Sequence, residues 1–372
     1  MEVKPSIETF AKIKVVGVGG SGGSTINHMV RSKIRGVEFM AVNTDAQALH
    51  HNLAAVKLHV GKSTTRGLGA GMDPEAGKKA AEENQSEIRE ALKGADMVFV
   101  TCGLGGGTGT GASPIVAEIA RDQGSLTVAV VTRPFSFEGA QRKAIAERGL
   151  KELLDKVDTI IVIPNDRILE IIDKKSTLLD AFGIVNDVLK QGVQGISELI
   201  TVPGLTNVDF ADVKAIMRDA GSALMGLGSG QGENRAVEAA KAAIASPLLE
   251  VSIDGAKGIL FTVTGGTDLR MHELSEAAKI ITAQADPNAK IIYGTVIDET
   301  MKDEVRITVI ATGFGDTGKV LTQEAATSYR PSLFSKPAEK PQLRTAAQKQ
   351  VEEKTKEEEE LEIPAFIRKK MG

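Results

Sequence analysis

Residues 105–111 read Gly105-Gly106-Gly107-Thr108-Gly109-Thr110-Gly111, directly after the apolar run Met97–Thr101. Glycine allows backbone conformations closed to other residues and lets a second group approach closely. Successive N–H groups of such a loop can converge on one anion. A helix expected to begin just beyond it, near Pro114, adds the positive end of its dipole. Phosphate is the anion this suits. A flexible linker does not fit, because linkers do not sit between an apolar strand and an apolar-periodic helix.

Around this loop, from about residue 10 to 175, short β-branched runs alternate with helical patterns. The strands expected are Ile13–Val18, Glu38–Asn43, Val56–Val60, Met97–Cys102, Leu126–Thr132 and Thr159–Pro164, with helical stretches at Glu75–Leu92 and Ala112–Gln123. Near-continuous apolar runs mark a parallel sheet covered on both faces. The pattern predicts a doubly wound α/β domain whose ligand lies beyond the carboxyl ends of the strands.

The first strand runs into Gly17-Val18-Gly19-Gly20-Ser21-Gly22-Gly23-Ser24, a formal G-x-G-x-x-G in strand–turn–helix context. An NAD-dependent Rossmann oxidoreductase is therefore a competing reading, with Asp45 as a possible ribose-binding acid. A pyrophosphate needs one cradle, however, and two glycine loops on one crevice suit a longer polyphosphate. A P-loop is excluded: Gly61-Lys62-Ser63-Thr64 has Val56 where the motif needs glycine. Neither glycine loop contains lysine, so phosphate charge must be met by N–H groups, helix dipoles and a metal ion.

Bulk properties narrow the class. A formal charge of −4 and a pI near 5.9 argue against a dedicated nucleic-acid binder, as does the absence of tryptophan. Cys102 is the single cysteine, which suits a reducing compartment, and beside the glycine loop it reads as a packing residue. Met1–Lys12 has no apolar signal core, and no stretch approaches the roughly 18 apolar residues of a membrane span. The expectation is a cytoplasmic protein.

From Ser176 to Ile200 apolar residues recur well round a helix, predicting burial between two layers, until Pro203-Gly204 ends it. Asp209 and Asp212 follow, three apart at a helix start. Residues 203–316 then read as a smaller α+β domain. Helical patterns at Val213–Met217, Ala236–Ala245 and Asp268–Ala283 accompany strands at Gly258–Thr264, Lys290–Ile297 and Val305–Ala311. The five-glycine region Gly221–Gly232 reads as a loop. The domain boundaries expected are 1–10, 11–175, 176–202, 203–316, a disordered linker at 317–360 and a docking peptide at 361–372. Ile363, Pro364, Phe366, Ile367 and Arg368 form the expected partner-binding set of that peptide: apolar anchors returning after a polar linker, then cations.

Gly105–Gly111 resembles the phosphate signature of the tubulin superfamily in its bacterial form. Val42-Asn43-Thr44-Asp45-Ala46-Gln47-Ala48-Leu49, Pro134-Phe135-Ser136-Phe137-Glu138-Gly139, Ile163-Pro164-Asn165-Asp166, Asp180-Ala181-Phe182, Asn186-Asp187-Val188-Leu189 and Asn207-Val208-Asp209-Phe210-Ala211-Asp212 are similar to the FtsZ family of cell-division GTPases. The resemblance implies a tubulin/FtsZ-like fold: a doubly wound parallel-sheet GTPase domain, a long central helix, a smaller α+β domain and a disordered tail. It implies GTP as substrate, with Mg²⁺ carried by its phosphates and no dedicated protein ligand. Gly20, Ser21, Gly22, Gly23 and Ser24, with Gly105, Gly106, Gly107, Thr108, Gly109, Thr110 and Gly111, would hold the triphosphate. Glu138 and Arg142 would reach the ribose and phosphates, and Asn165, Phe182, Asn186 and Asp187 the base. Many relatives carry Asn where this chain has Ser24.

At about 1.5 Å per residue the central helix spans roughly 37 Å, so Asp209 and Asp212 lie far from base-binding residues in its first half. They could reach a neighbour's site in a head-to-tail stack, which makes a filament when it does not close. The resemblance implies that arrangement, with Asn207, Asp209 and Asp212 supplied to the next subunit and the filaments forming the division ring at midcell. It also implies membrane-tethering and regulatory division proteins as partners of the terminal peptide. A tubulin-like scaffold that binds GTP with little turnover is the other alternative.

Overall fold

Near-continuous apolar runs mark strands covered on both faces, and of the first six strands the central ones are so covered, while the edge strand Val56–His59 stays partly exposed. In the computed structural model, which describes residues 11–172, 176–201, 208–249 and 252–314, the six are β1 (Ile13–Val18), β2 (Val37–Asn43), β3 (Val56–His59), β4 (Met97–Gly103), β5 (Leu126–Arg133) and β6 (Thr159–Pro164). They pair in parallel in the order β3-β2-β1-β4-β5-β6. Ile13, Val15, Met97, Phe99, Val128 and Val130 pack into one core, under the helix Gly19–Arg31 and the central helix Leu178–Thr201. Their neighbours Val16, Val18, Val98, Val100, Ala129 and Val131 pack into another, under Pro74–Glu83, Thr108–Asp122 and Ala140–Leu154. The strand order reverses between β1 and β4, so the loops leaving these two strands diverge and open a crevice.

The sheet continues through β7 (Gly221–Gln231), β10 (Glu304–Thr312), β8 (Gly258–Gly265) and β9 (Lys290–Ile297). β7 pairs in parallel with β6 through Thr159↔Gly221, Ile160↔Ser222 and Ile161↔Ala223, then in antiparallel fashion with β10. β10 is antiparallel to β8, and β8 parallel to β9.

The strand β7 corrects the reading of 221–232 as a loop. Its glycines are a packing surface: a Cβ on Gly226, Gly228 or Gly230 would sit 2.0, 2.1 and 2.1 Å from the carbonyl oxygens of Ala243, Ala239 and Arg235. One strand repeat is matched to one helical turn, and the helix Arg235–Ile244 lies directly on the strand backbone. Its outer side anchors Arg235, buried and bound by Asp268 and Glu273.

Two helical expectations also change. Glu75–Leu92 is two helices, Pro74–Glu83 and Gln85–Leu92, because Asn84 turns its side chain to accept from Gly61 N–H (2.8 Å) and donate to Glu87. The helix expected near Pro114 starts at Thr108, inside the glycine run, and Pro114 lies within it.

In the central helix Ala181, Val185, Val188, Leu189, Val193, Ile196 and Leu199 are buried. Apolar cover is a stripe and not a full wrap, since Leu179 is 83% exposed and Phe182 41%. The stripe meets both halves of the sheet: Gly192 abuts Met225 and Val130, and Thr262 donates to the carbonyl of Gly195 at 3.0 Å. Residues 1–10, 317–360 and 361–372, Asn207, and with it the expected docking peptide, lie outside the described residues.

Candidate functional site

The crevice between β1 and β4 holds a cleft of about 310 Å³, and glycine builds it. A Cβ on Gly19, which has φ of +74°, would lie 2.8 Å from the backbone nitrogen of Gly109, so the two glycine loops touch and form one cradle. Gly22 is pressed on the Thr101 carbonyl (2.5 Å), Gly107 on Ala70 and Asp73, and Gly111 on the Pro74 carbonyl (1.9 Å). Gly105 has φ of +98° and abuts Arg142. Gly20 and Gly106 alone in these two loops have nothing within 4 Å of such a Cβ. Most of the signature therefore lets backbones meet, and these two glycines face open space.

The cradle is held by hydroxyls. Thr110 Oγ1 accepts from Gly105 N–H (2.9 Å), the Thr108 and Thr44 hydroxyls share a hydrogen bond of 2.6 Å, and Ser113 donates to the Gly109 carbonyl. Two helices, Gly19–Arg31 and Thr108–Asp122, begin at the cradle, so their first N–H groups and positive dipole ends are available to one anion. Cys102 lies buried beneath, its thiol pushed up to about 11 by burial, and is a packing residue.

On the far wall Glu138 and Arg142 form an ion pair of 2.6 Å, and Glu138 also accepts from Phe135 N–H at 2.9 Å. They do not share a helix: Glu138 ends a short 3₁₀ turn and Arg142 lies in Ala140–Leu154, with Gly139 (φ +99°) between. Asn165 is buried with its Oδ1 unpartnered, an acceptor set to receive a ligand hydroxyl or N–H. Phe182 stands edge-on to Phe135, centroids 5.7 Å apart, and offers an exposed ring for stacking.

Of the expected residues, Gly20, Ser21, Gly106, Gly107, Thr108, Gly109, Glu138, Arg142, Asn165 and Phe182 line the cleft. Gly22, Gly23, Gly105, Thr110 and Gly111 support it from behind, and Ser24 is exposed on the outer side of its helix. Asn186 and Asp187 lie one turn beyond Phe182. Asn186 bonds Thr25 (2.9 Å), and Asp187 bonds His28 (3.0 Å) and Lys190 (2.7 Å). Burial pushes the Asp187 carboxyl up, but the hydrogen bonds from Lys190 and His28 outweigh it and hold it below the usual range. Asp209 and Asp212 are exposed at the start of Phe210–Met217, with Asp209 capping that helix through Ala211 N–H. From Phe182 to Thr201 the central helix rises about 28 Å. The helix that these acids open ends on the side of the sheet away from the cleft, where Thr159, the first residue of β6, donates to the Met217 carbonyl. Ala70 and Gly71 also line the cleft and were not expected. The signal was the glycine-dense Gly67-Leu68-Gly69-Ala70-Gly71 before Asp73-Pro74, a helix start.

A family model described as the Tubulin/FtsZ family, GTPase domain, matches residues 12–173, and the FtsZ family, C-terminal domain, matches 221–315. The structure is similar to that of FtsZ from M. jannaschii, described as an empty dimer, with 48% identity and a TM-score of 0.80 over 84% of this chain and 92% of that one. This chain belongs to the FtsZ family. It is a GTP-binding, filament-forming GTPase of cell division. A fold likeness also extends to CetZ2 of Haloferax volcanii, described as a GTPγS-bound protofilament, at 21% identity and a TM-score of 0.69 over 84% of this chain and 97% of that one. The nicotinamide reading of the first glycine turn is not favoured, since that turn is half of a cradle completed by the second loop. No helix among the described residues is long and apolar enough to cross a membrane.

Proposed function

We propose that GTP lies with its triphosphate between the Gly20–Ser21 and Gly106–Gly109 segments and its base over Phe182, and that it is hydrolysed to GDP and phosphate at the junction of two head-to-tail subunits. What supports this is that the helix opened by Asp209 and Asp212 ends against the start of β6, whereas the cleft lies at the opposite ends of the strands. Exposed carboxylates that far from their own cleft can serve a neighbour's. Asn207, Asp209 and Asp212 of one subunit position the attacking water at the cleft of the next, in a reaction governed by positioning and charge stabilisation.

Exposed apolar residues ring the cleft, as expected of a surface that another subunit covers. Leu68 (85% exposed) and Met72 flank the lining residues Ala70 and Gly71, Phe137 (65%) precedes Glu138, and Leu179 lies one turn before Phe182. Glu138, the one carboxylate among the lining residues, is held by Arg142, and the other lining polar groups are backbone, hydroxyl and amide. Mg²⁺ fits such a site on phosphate oxygens and water. When bound it neutralises charge on the transferring phosphoryl group.

In this reading hydrolysis weakens the junction and filaments turn over at a cytoplasmic midcell ring. The segment 361–372 carries Ile363, Pro364, Phe366, Ile367 and Arg368 to membrane-tethering and regulatory division proteins. Right-angle light scattering with a phosphate assay tests the core of it: GTP with Mg²⁺ should raise scattering and release phosphate, and GDP or ATP should do neither. Phosphate release without dependence on protein concentration would overturn the shared site.

A further inference from the structure

Thr25 is fully buried in the helix Gly19–Arg31, one turn past the cleft residue Ser21, and Asn186 is one turn past the cleft residue Phe182. The two side chains meet where these helices cross. Thr25 Oγ1 lies 2.9 Å from Asn186 Oδ1 and 3.1 Å from the Ser21 carbonyl oxygen. A threonine hydroxyl has one proton and cannot donate to both oxygens. Two arrangements satisfy the geometry. Either Thr25 donates to Asn186 Oδ1 and the amide NH₂ is turned away from it, or Thr25 donates to the Ser21 carbonyl and accepts from the NH₂ after a half-turn of the amide.

These arrangements present opposite chemistry to a base stacked on Phe182. Guanine offers two adjacent donors, N1–H and the exocyclic amine, and needs an acceptor. Adenine offers an acceptor at N1. Asp187, the neighbouring acceptor, is engaged by His28 and Lys190. Resting on the GTP site proposed above, we infer that Thr25 is a specificity-determining positioning residue. With nucleotide bound it donates to the Ser21 carbonyl and holds the Asn186 NH₂, so that Asn186 Oδ1 faces the guanine donors. The hydroxyl does not touch the base; it sets which atom of the amide does. A site built this way rejects the wrong base because a buried polar group is left unpaired.

The test is competition of GTP, ITP and ATP against a fluorescent GTP analogue on the full chain, for Thr25→Val, Thr25→Ser, Asn186→Asp and the double variant Thr25→Val/Asn186→Asp. Val keeps the shape and removes the hydroxyl. The GTP-over-ATP affinity ratio is expected to fall about tenfold in Thr25→Val and to return within about twofold of wild type in Thr25→Ser, a difference of roughly 1.4 kcal/mol per tenfold. A carboxylate accepts at both oxygens and needs no orienting, so Thr25→Val should cost no further discrimination in the Asn186→Asp background. That comparison also serves if Thr25→Val alone folds poorly. An unchanged ratio in Thr25→Val, failure of Thr25→Ser to rescue, or an undiminished Thr25→Val effect beside Asn186→Asp would overturn the inference. Wild-type protein that shows no GTP preference would instead overturn the reading of the site.

Discussion

Gly19 and Gly109 come from two loops about 90 residues apart in sequence, yet they touch: a Cβ on Gly19 would lie 2.8 Å from the Gly109 nitrogen and drive the loops apart. The contact makes one cradle of two loops. Gly19→Ala combines that clash with a positive φ, and is expected to cost about 2 kcal/mol of stability and most GTP affinity. Gly20→Ala has open space and should keep the wild-type melting temperature while weakening GTP binding. Thermal melts with and without GTP check both. Equal melting losses in the two variants would contradict the division between packing and ligand-facing glycines.

Asp212→Ala is expected to bind GTP as wild type does and to lose most hydrolysis. Mixing it with a cradle variant such as Thr108→Arg should restore part of the activity, since one complete site can form at a mixed junction. Phosphate release measured across mixing ratios decides the matter. No recovery at any ratio, or loss of GTP binding by Asp212→Ala, would sink the shared-site account.

Gly228→Ala should destabilise by about 3 kcal/mol although it lies far from the cleft, because overpacking against the Ala239 carbonyl forces the helix off the strand. The midpoint of urea unfolding reads this directly. A shift below about 1 kcal/mol would mean that the helix moves freely on β7.

Deleting 361–372 should leave GTP-dependent assembly and hydrolysis nearly unchanged and abolish recruitment by a membrane-tethering partner. Within that segment Phe366→Ala should cost more affinity than Lys369→Ala, because an aromatic anchor buried on a partner outweighs a rim charge. Binding isotherms of the terminal peptide rank the two. A dominant Lys369 would point to lipid attraction instead.

The central strands β4, β5 and β6 were legible because two-sided burial leaves near-continuous apolar runs. β1, β2 and the half-exposed edge strand β3 were legible by their β-branched and apolar residues between turn signals. β7 was not, because its packing face is made of Gly226, Gly228 and Gly230, which carry no hydrophobic period. The helix start at Thr108 was hidden for a related reason: glycine disfavours helix, and here contacts with Pro74 and Gly103 override propensity. At the site, the phosphate cradle could be read from composition. The engagement of Asp187 with His28, and the meeting of Thr25 with Asn186, come from a helix crossing between distant segments and leave no trace in local pattern.

The strand β7 belongs to both halves of the sheet, and this bears on how the chain emerges from the ribosome. The six parallel strands are complete at Pro164, but the free edge of β6 finds its partner only when Gly221–Ala223 has been made. Until then a nascent chain displays unpaired N–H and carbonyl groups along Thr159–Ile161, a template for pairing with another chain. Slowing translation between these two points should raise aggregation, whereas the same pause placed after Thr312, when β10 has covered the other edge of β7, should not.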